Sequence, residues 1–406
     1  CKRCKISAPT LYKMCLLQTI YLLKKKAWNN CERNPFSNMP SRIVNDLVAF
    51  SFSREKDDRP KIEELQLLLK SDQLERVDFR NSTFSKAECI ALFHLFTDEA
   101  SLNLRYLSLT RQFQNSKIVS MEMMIQKCPK LQFLETETFF NLDVLECCTA
   151  LQVVRMRYSS REVLNYFRHR NVALLKFPEK LKVLDVFSYE DCFSTYKIIG
   201  KFLKYCPELI SVGLIDSSLA VYDICQTEDS SSYQFNLRRC YWGISLNPLD
   251  AVPEFLTGYV AFYPNIIQTA VSSFPFVEEL IIDVYHKDCL EPLQYLKKLS
   301  VLIINFECCS DGLSTFTTLI SKIGHQIKHL LISGLHMISL NLIFNLCPRL
   351  ESLNLSGSAT VSKPIKTCMN LQLLTIQEID KKIFVFPSVK LFKLETTDSS
   401  FRFVFG

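Results

Sequence analysis

The side chains that could act here as nucleophiles, proton carriers or metal ligands are mainly the 17 cysteines and six histidines. His286 and Cys289 stand three residues apart, but no second pair accompanies them at metal-site spacing. Cys1 and Cys4 form a single CxxC, again without a partner pair. No GxSxG, HExxH, GxGxxG or GxxxxGK[ST] motif occurs in the sequence. The residues therefore predict no metal site, no cofactor and no enzyme activity.

The cysteines are better explained as core residues than as disulfide partners. Their number is odd, and Cys147–Cys148 and Cys308–Cys309 are adjacent in sequence. Most of the others lie among aliphatic residues, where a thiol packs as a small hydrophobic group. Many buried thiols are typical of a reducing compartment, so we expect a cytoplasmic or nuclear location.

Composition and charge argue against nucleic-acid and membrane partners. Of the 406 residues, 48% are hydrophobic, enough for a core along the whole chain. Seven of the 48 basic residues and none of the 42 acidic ones lie in residues 1–30, so the remainder is close to neutral. A neutral body does not steer phosphates. The uncharged stretch 329–347 contains several polar residues and keeps the repeat register described next, which argues against a membrane span.

A repeated pattern shows which elements must position any functional side chain. The pattern LxxLxL, with other residues sometimes replacing Leu, recurs from residue 74 at spacings mostly of about 20–30 residues. Strand alternation turns its fourth and sixth residues to one side, and stacked repeats bury that side continuously. This predicts an α/β leucine-rich-repeat solenoid with a curved parallel sheet inside and helices outside. The repeats are Leu74-Val77-Phe79, Leu104-Leu107-Leu109, Leu131-Leu134-Thr136, Leu151-Val154-Met156, Leu181-Leu184-Val186, Leu209-Val212-Leu214, Val277-Leu280-Ile282, Leu299-Leu302-Ile304, Ile327-Leu330-Ile332, Leu350-Leu353-Leu355, Leu371-Leu374-Ile376 and Val389-Phe392-Leu394.

A Cys-Pro pair precedes several repeats at a fixed distance, as in Cys128-Pro129, Cys206-Pro207 and Cys347-Pro348. We expect each Cys to end a helix inside the core and each Pro to stop that helix before the strand. This resembles the cysteine-containing repeats of F-box-class ubiquitin-ligase receptors and implies a protein-binding scaffold. Residues 56–406 are accordingly predicted to form the solenoid. An irregular insertion near 215–276 is expected to hold one degenerate strand at Phe235–Trp242.

The N-terminal segment, residues 1–55, has a different character and is predicted to form two helices. In the first, Thr10, Leu11 and Cys15 follow the spacing [ST]-L-x3-C; Thr19 stands where that pattern continues with an aliphatic residue, and Ile20 comes one position later. The second fits the form hydrophobe-P-x2-hydrophobe-x3-hydrophobe. Its matching residues are Met39, Pro40, Ile43 and Leu47.

Together these two motifs resemble the von Hippel–Lindau box, an elongin-binding motif followed by a cullin box. A box of this kind ahead of leucine-rich repeats is similar to the Zyg/Zer family of substrate receptors. The resemblance implies that Thr10, Leu11, Cys15 and Ile20 contact elongin C and that the second motif contacts a cullin. The solenoid would then present an unknown protein substrate for ubiquitin transfer.

Two other interpretations of the N-terminal segment stay open. Residues 10–50 could form a helical cap that closes the first repeat, as solenoids require. Met39–Phe50 also resembles the start of an F-box, which implies an SKP adaptor and a different cullin. A general cytosolic scaffold without a ligase role is the remaining alternative.

The residues beside the buried repeat positions are predicted to point out of the concave sheet. In the first half they are rich in Arg and Tyr, which are suited to protein-interaction hot spots, so we expect partner specificity there. They are Arg76, Asp78, Tyr106, Glu135, Arg155, Arg157 and Asp185.

Overall fold

The structure, a computed structural model, divides into two compact units, residues 1–189 and 190–406. It describes residues 10–54, 58–80, 82–96, 103–113, 120–138, 140–158, 177–188, 195–227, 233–243, 254–285, 287–306, 312–360, 370–379 and 391–394.

The first unit alternates helices with short parallel strands. Its described α-helices are α1 (Leu11–Lys24), α2 (Ser41–Phe52), α3 (Gln66–Leu69), α4 (Lys86–Leu95) and α5 (Met121–Gln126), and its described 3-10 helices are Arg111–Phe113 and Leu142–Cys147. Its described strands are β1 (Arg76–Asp78), β2 (Tyr106–Leu109), β3 (Phe133–Thr136), β4 (Val153–Tyr158) and β5 (Val183–Ser188). Each strand pairs in parallel with the next one along the chain.

The second unit repeats the same alternation. Its described α-helices are α6 (Thr195–Tyr205), α7 (Ser217–Thr227), α8 (Glu254–Ser273), α9 (Gly312–Ile323) and α10 (Leu340–Leu346), and its described 3-10 helices are Lys287–Tyr295 and Gly324–Gln326. Its described strands are β6 (Ser211–Asp216), β7 (Arg239–Trp242), β8 (Glu279–Asp283), β9 (Val301–Asn305), β10 (His329–Ser333), β11 (Ile338–Ser339), β12 (Ser352–Thr360), β13 (Leu373–Ile379) and β14 (Leu391–Leu394). All of their pairings are parallel.

From β1 to β5, and again from β7 to β14, the register brings the fourth residue of each repeat opposite the fourth residue of the next. In the first unit Val77 pairs with Leu107, and Leu134 continues the column. In the second unit Leu302 pairs with Leu330, and Leu353 follows. These side chains are at most 2% exposed, and each such burial contributes about 1.5–3 kcal/mol. Both units therefore have the leucine-rich-repeat architecture, and the predicted fold class is confirmed.

A recurring turn leads into the strands at the predicted Cys positions. Cys128 is buried directly after α5, and the Leu131 N–H donates to its carbonyl at 3.1 Å. Cys206 and Cys347 occupy the same place after α6 and α10. The thiol fills a small space between helix and strand, as the spacing predicted.

The structure differs from the sequence prediction in residues 215–276. This segment contains α7, β7 and α8, so its described part continues the repeat pattern and is not an irregular insertion. The degenerate strand expected at Phe235–Trp242 is present as β7. Its repeat is Leu237-Cys240-Trp242, three fully buried side chains. Cys and Trp at the fourth and sixth positions concealed this repeat from an aliphatic pattern.

No helix within the described residues is both long enough and apolar enough to cross a bilayer.

Candidate protein-interaction surfaces

Helix α1 is apolar on two opposite sides. Leu11 and Met14 are 77% and 53% exposed, and Cys15 beside them is exposed too. These three side chains lie on one face, because residues three or four apart in a helix are neighbours. The side packed against the protein consists of Leu16, Ile20 and Leu23. A solvated helix face is normally polar, so the α1 surface formed by Leu11, Met14 and Cys15 is suited to contact a partner.

The structure separates the residues of the first motif. Thr10 caps α1, since its hydroxyl accepts a hydrogen bond from the Lys13 N–H at 3.3 Å. Ile20 differs from the expectation: it is buried on the core side of α1, about half a turn away from Leu11. It holds the helix in place and is not part of the exposed surface. Thr19, at the motif's own position, donates a hydrogen bond to the Cys15 carbonyl at 2.9 Å.

The second motif lies at the start of α2, where Met39 is half-buried and Pro40 is exposed. Ile43 is half-buried, but Leu47 is buried in the core and is not available to a cullin. Helix α2 packs on the first strand through Phe52, whose ring centre lies 5.2 Å from that of Phe79. The inner side of α2 therefore covers the first repeat.

A polar contact fixes α1 against α2. The Tyr12 hydroxyl donates to an Asp46 carboxylate oxygen at 2.6 Å. This hydrogen bond raises the pKa of Tyr12, with smaller contributions from burial and from the Asp46 charge. The exposed α1 surface is thus held in a defined orientation on the N-terminal pair of helices.

The outward face of the first unit's sheet carries a stack of four side chains from successive strands. The Arg76 guanidinium lies 3.9 Å from the centre of the Tyr106 ring. Tyr106 stacks on Phe133 with ring centres 4.4 Å apart and planes 13° apart. Arg155 closes the stack, 5.3 Å from the centre of Phe133. We call these four residues the Arg–aromatic stack. Register brings Arg76, Tyr106 and Phe133 side by side, whereas Arg155 reaches Phe133 from two positions further along β4, beyond Val153.

Charged groups beside the stack are already paired within the protein. Arg80 donates to both carboxylate oxygens of Asp78, at 3.0 and 2.6 Å, and to Glu135 at 2.9 Å. Burial opposes ionisation of Asp78, but the hydrogen bonds from Arg80 outweigh it and hold the pKa of Asp78 below its usual value. Asp185 accepts from the Arg155 Nε at 3.0 Å.

Most residues predicted for this face lie on it, and the structure adds two more. Arg76, Arg155 and Arg157 are exposed, whereas Glu135 and Asp185 are almost covered by their Arg neighbours. The two residues that the sequence prediction missed are Phe133 and Arg80. Phe133 stands two positions after the first repeat residue, where Tyr106 also stands, so a comparison of equivalent positions would have found it.

The outward face of the second unit is more apolar. Ile281, Ile303 and Leu331 are half-buried neighbours in successive strands. At one edge the Tyr241 hydroxyl donates to Asp283 at 2.6 Å, and burial, followed by the Asp283 charge, raises the pKa of Tyr241. This contact is structural, because Tyr241 is almost fully buried.

A scan against protein-family models finds no match, and a search of curated proteins finds none. Among solved structures, the chain is similar to one from the yeast Rad7 and Elc1 complex (14% identity, 98% of each chain, TM-score 0.43). It is also similar to an internalin from Listeria monocytogenes (14% identity, 79% of this chain and 72% of that one, TM-score 0.34). A leucine-rich-repeat protein of Leptospira interrogans matches at 12% identity (82% and 80%, TM-score 0.32). Likenesses this distant say nothing about what this chain binds.

Proposed function

We propose that this protein is a non-catalytic scaffold that serves as the substrate-recognition subunit of a cullin–RING ubiquitin ligase, with elongin C as its adaptor. The observation that carries the proposal is the exposed α1 surface, in which Leu11 and Cys15 have the spacing of an elongin-binding motif and Met14 lies beside them. The outward face of the first unit is the proposed substrate side.

The α1 surface has the properties of a helix that docks into a hydrophobic groove. Such helices present apolar anchors at three- and four-residue spacing. Leu11 is exposed over most of its area, and burying a leucine side chain fully contributes about 1.5–3 kcal/mol to association. Thr10 starts the helix at Leu11, so the first anchor lies in its first turn.

A capping role for α1 and α2 is compatible with this proposal and does not replace it. Capping uses the buried sides of the two helices, including Leu16 and Phe52. It gives no reason for apolar side chains on the opposite side of α1, where polar residues would keep a cap soluble. The proposed cullin contact is confined to Met39, Pro40 and Ile43, since Leu47 is buried.

Affinity purification from cells, followed by mass spectrometry, tests the proposal. We expect elongin C and a cullin with the full chain, and at least a tenfold loss of both with Leu11→Ala plus Cys15→Ala, roughly the value of one buried leucine anchor. The matched control is Met123→Ala plus Leu313→Ala, two exposed apolar residues outside α1. This control should leave recovery unchanged.

The other outcomes identify the alternatives. Recovery of an SKP adaptor with its own cullin would replace the elongin assignment by an F-box one. Recovery of neither adaptor would overturn the ligase role and leave a general scaffold. Equal loss with the control variant would show that the α1 surface has no special part.

A further inference from the structure

The Arg–aromatic stack presents two guanidinium groups whose hydrogen-bond donors are largely unused. Among the described residues, Arg76 makes no side-chain hydrogen bond or ion pair; it is held by the Tyr106 ring. Within the described part of the chain, the Arg155 side chain donates only from its Nε, toward Asp185. Stacking on an aromatic ring fixes the plane of a guanidinium while its N–H edges stay available for a carboxylate.

The surface between the two arginines is an apolar platform. Tyr106 and Phe133 are half-buried, so their stacked edges face solvent. The Tyr106 oxygen accepts from Arg80 at 3.2 Å, which fixes the ring from its polar end. The resulting pattern across the four strands is a cation, two aromatic rings and a second cation.

The spacing of this pattern matches an extended peptide lying across the strands. The three separations along the stack, 3.9, 4.4 and 5.3 Å, put the two guanidinium carbons at most about 14 Å apart. An extended chain advances about 3.4 Å per residue, so four steps cover the same distance. Residues i, i+2 and i+4 of such a chain also point to one side.

We propose that the Arg–aromatic stack binds an extended acidic segment with carboxylates at positions i and i+4 and an apolar side chain at i+2. One carboxylate pairs with Arg76, the other pairs with Arg155, and the apolar side chain lies on Tyr106 and Phe133. This rests on the proposed function in one respect, that the outward face of the first unit holds the substrate.

The neighbouring charges favour a peptide over a nucleic acid. Asp78, Glu135 and Asp185 line the same face. A strand of evenly spaced phosphates would place a charge beside each of these carboxylates, whereas a peptide with two carboxylates places its charges only at the two arginines. A carboxylate–guanidinium pair on a preorganised fork forms strong, charge-assisted hydrogen bonds.

Fluorescence anisotropy with a labelled peptide and the full chain tests this. The probe is Gly-Ser-Glu-Ser-Leu-Ser-Glu-Ser-Gly. We expect saturable binding, weakened about tenfold when one Glu is replaced by Gln and about a hundredfold when both are, because each charge-assisted pair contributes about a factor of ten. Exchanging Leu with the preceding Ser turns the apolar side chain to the opposite side and should weaken binding as well.

Protein variants locate the site. Arg76→Gln and Arg155→Gln should each raise Kd about tenfold. Arg105→Gln is the matched control: it removes the same charge from an exposed residue of the same unit, 3.7 Å from Glu75 and outside the stack. Its Kd should stay within about twofold, the effect of a rim charge.

Several results would overturn the proposal. These are no binding of the probe, equal binding of the Gln peptide, equal loss with Arg105→Gln, and tighter binding of a single-stranded oligonucleotide than of the probe. If the peptide fails while elongin C recovery still depends on Leu11 and Cys15, the substrate class is wrong and the ligase role stands. If elongin C recovery fails while peptide binding depends on Arg76 and Arg155, the site stands without the ligase role.

Discussion

Replacing Arg80 by Met removes the cation that holds two carboxylates of the first unit. Asp78 then loses two hydrogen bonds and Glu135 loses one. The Glu135 side chain is only 8% exposed, so its charge stays in a poorly hydrated place without that partner. Met keeps most of the apolar volume of Arg, and the change is therefore mainly electrostatic.

The expected loss in the free energy of unfolding is about 2–3 kcal/mol. Breaking a fully buried ion pair costs about 3–5 kcal/mol, because the remaining charge is uncompensated. The Arg80 side chain is 37% exposed, so solvent screening reduces that value. The expected loss still exceeds the roughly 0–1 kcal/mol that an ordinary surface ion pair contributes.

The pH dependence of this loss has a definite sign. In the unaltered protein the pKa of Asp78 is lowered, so its contribution is present above the unfolded value of about 3.9 and disappears as pH falls through the folded value. Without the Arg80 side chain, burial still raises the pKa of Asp78, whereas Arg76 and the backbone N–H of residue 80 still lower it, so this pKa shifts back toward the unfolded value. The variant then gains less stability from ionised Asp78 than the unaltered protein does. Its deficit should be largest near pH 7 and shrink below about pH 5, as Asp78 of the unaltered protein becomes protonated.

Urea unfolding followed by circular dichroism measures the loss in unfolding free energy and its pH dependence. Hydrogen exchange of the β1–β3 amides shows where in the protein the loss occurs. Arg105→Met is the control; its pair with Glu75 is longer, 3.7 Å, and both side chains are more exposed. We expect it to change stability by less than about 1 kcal/mol. A deficit for Arg80→Met that is equally small, or that does not vary with pH, would refute the electrostatic reasoning.

Two further predictions concern cysteine reactivity and the end of α1. Iodoacetamide should label the exposed cysteines of the native protein and spare the buried ones. Alkylation needs a thiolate, and burial raises the pKa of Cys148, Cys206 and Cys240 to about 12. Peptide mass mapping checks this, and rapid labelling of Cys240 would contradict it. Lys26→Gly should stabilise the protein by about 0.5–1 kcal/mol in thermal unfolding, because Lys26 has a φ of 55°, a left-handed conformation that glycine adopts without strain. The control Lys25→Gly, at a φ of −81°, should not stabilise the protein. Among the described residues, the exposed cysteines are Cys15, Cys31 and Cys147, and the buried ones are Cys89, Cys128, Cys148, Cys206, Cys240, Cys289 and Cys347.

Much of the fold could be predicted from the sequence, because the spacing of apolar residues within each repeat indicates which of its positions are buried. Leu107 and Leu353 were identifiable from spacing alone, since alternation in a strand is a local property. The repeat at Leu237-Cys240-Trp242 was harder to find because two of its three core residues are not aliphatic. There the neighbouring strands, and not the residue types, determine the burial.

The interaction surfaces were predictable only in part. Leu11 and Cys15 were found through their spacing, but spacing alone did not show that Ile20 faces the core. The Arg–aromatic stack depends on which residues of different strands become neighbours. Tyr106 meets Phe133 only because β2 and β3 pair at one register, which no single repeat specifies.

The thiols at the helix ends also affect how this protein recovers from unfolding. Cys128 and its equivalents are protected from oxidants only while the repeats remain stacked. In the unfolded chain these thiols are exposed, and they become able to form mismatched disulfides with one another. Loss of structure in an oxidising medium would then be a one-way event, so reversible denaturation of this molecule depends on a reductant as much as on temperature or urea.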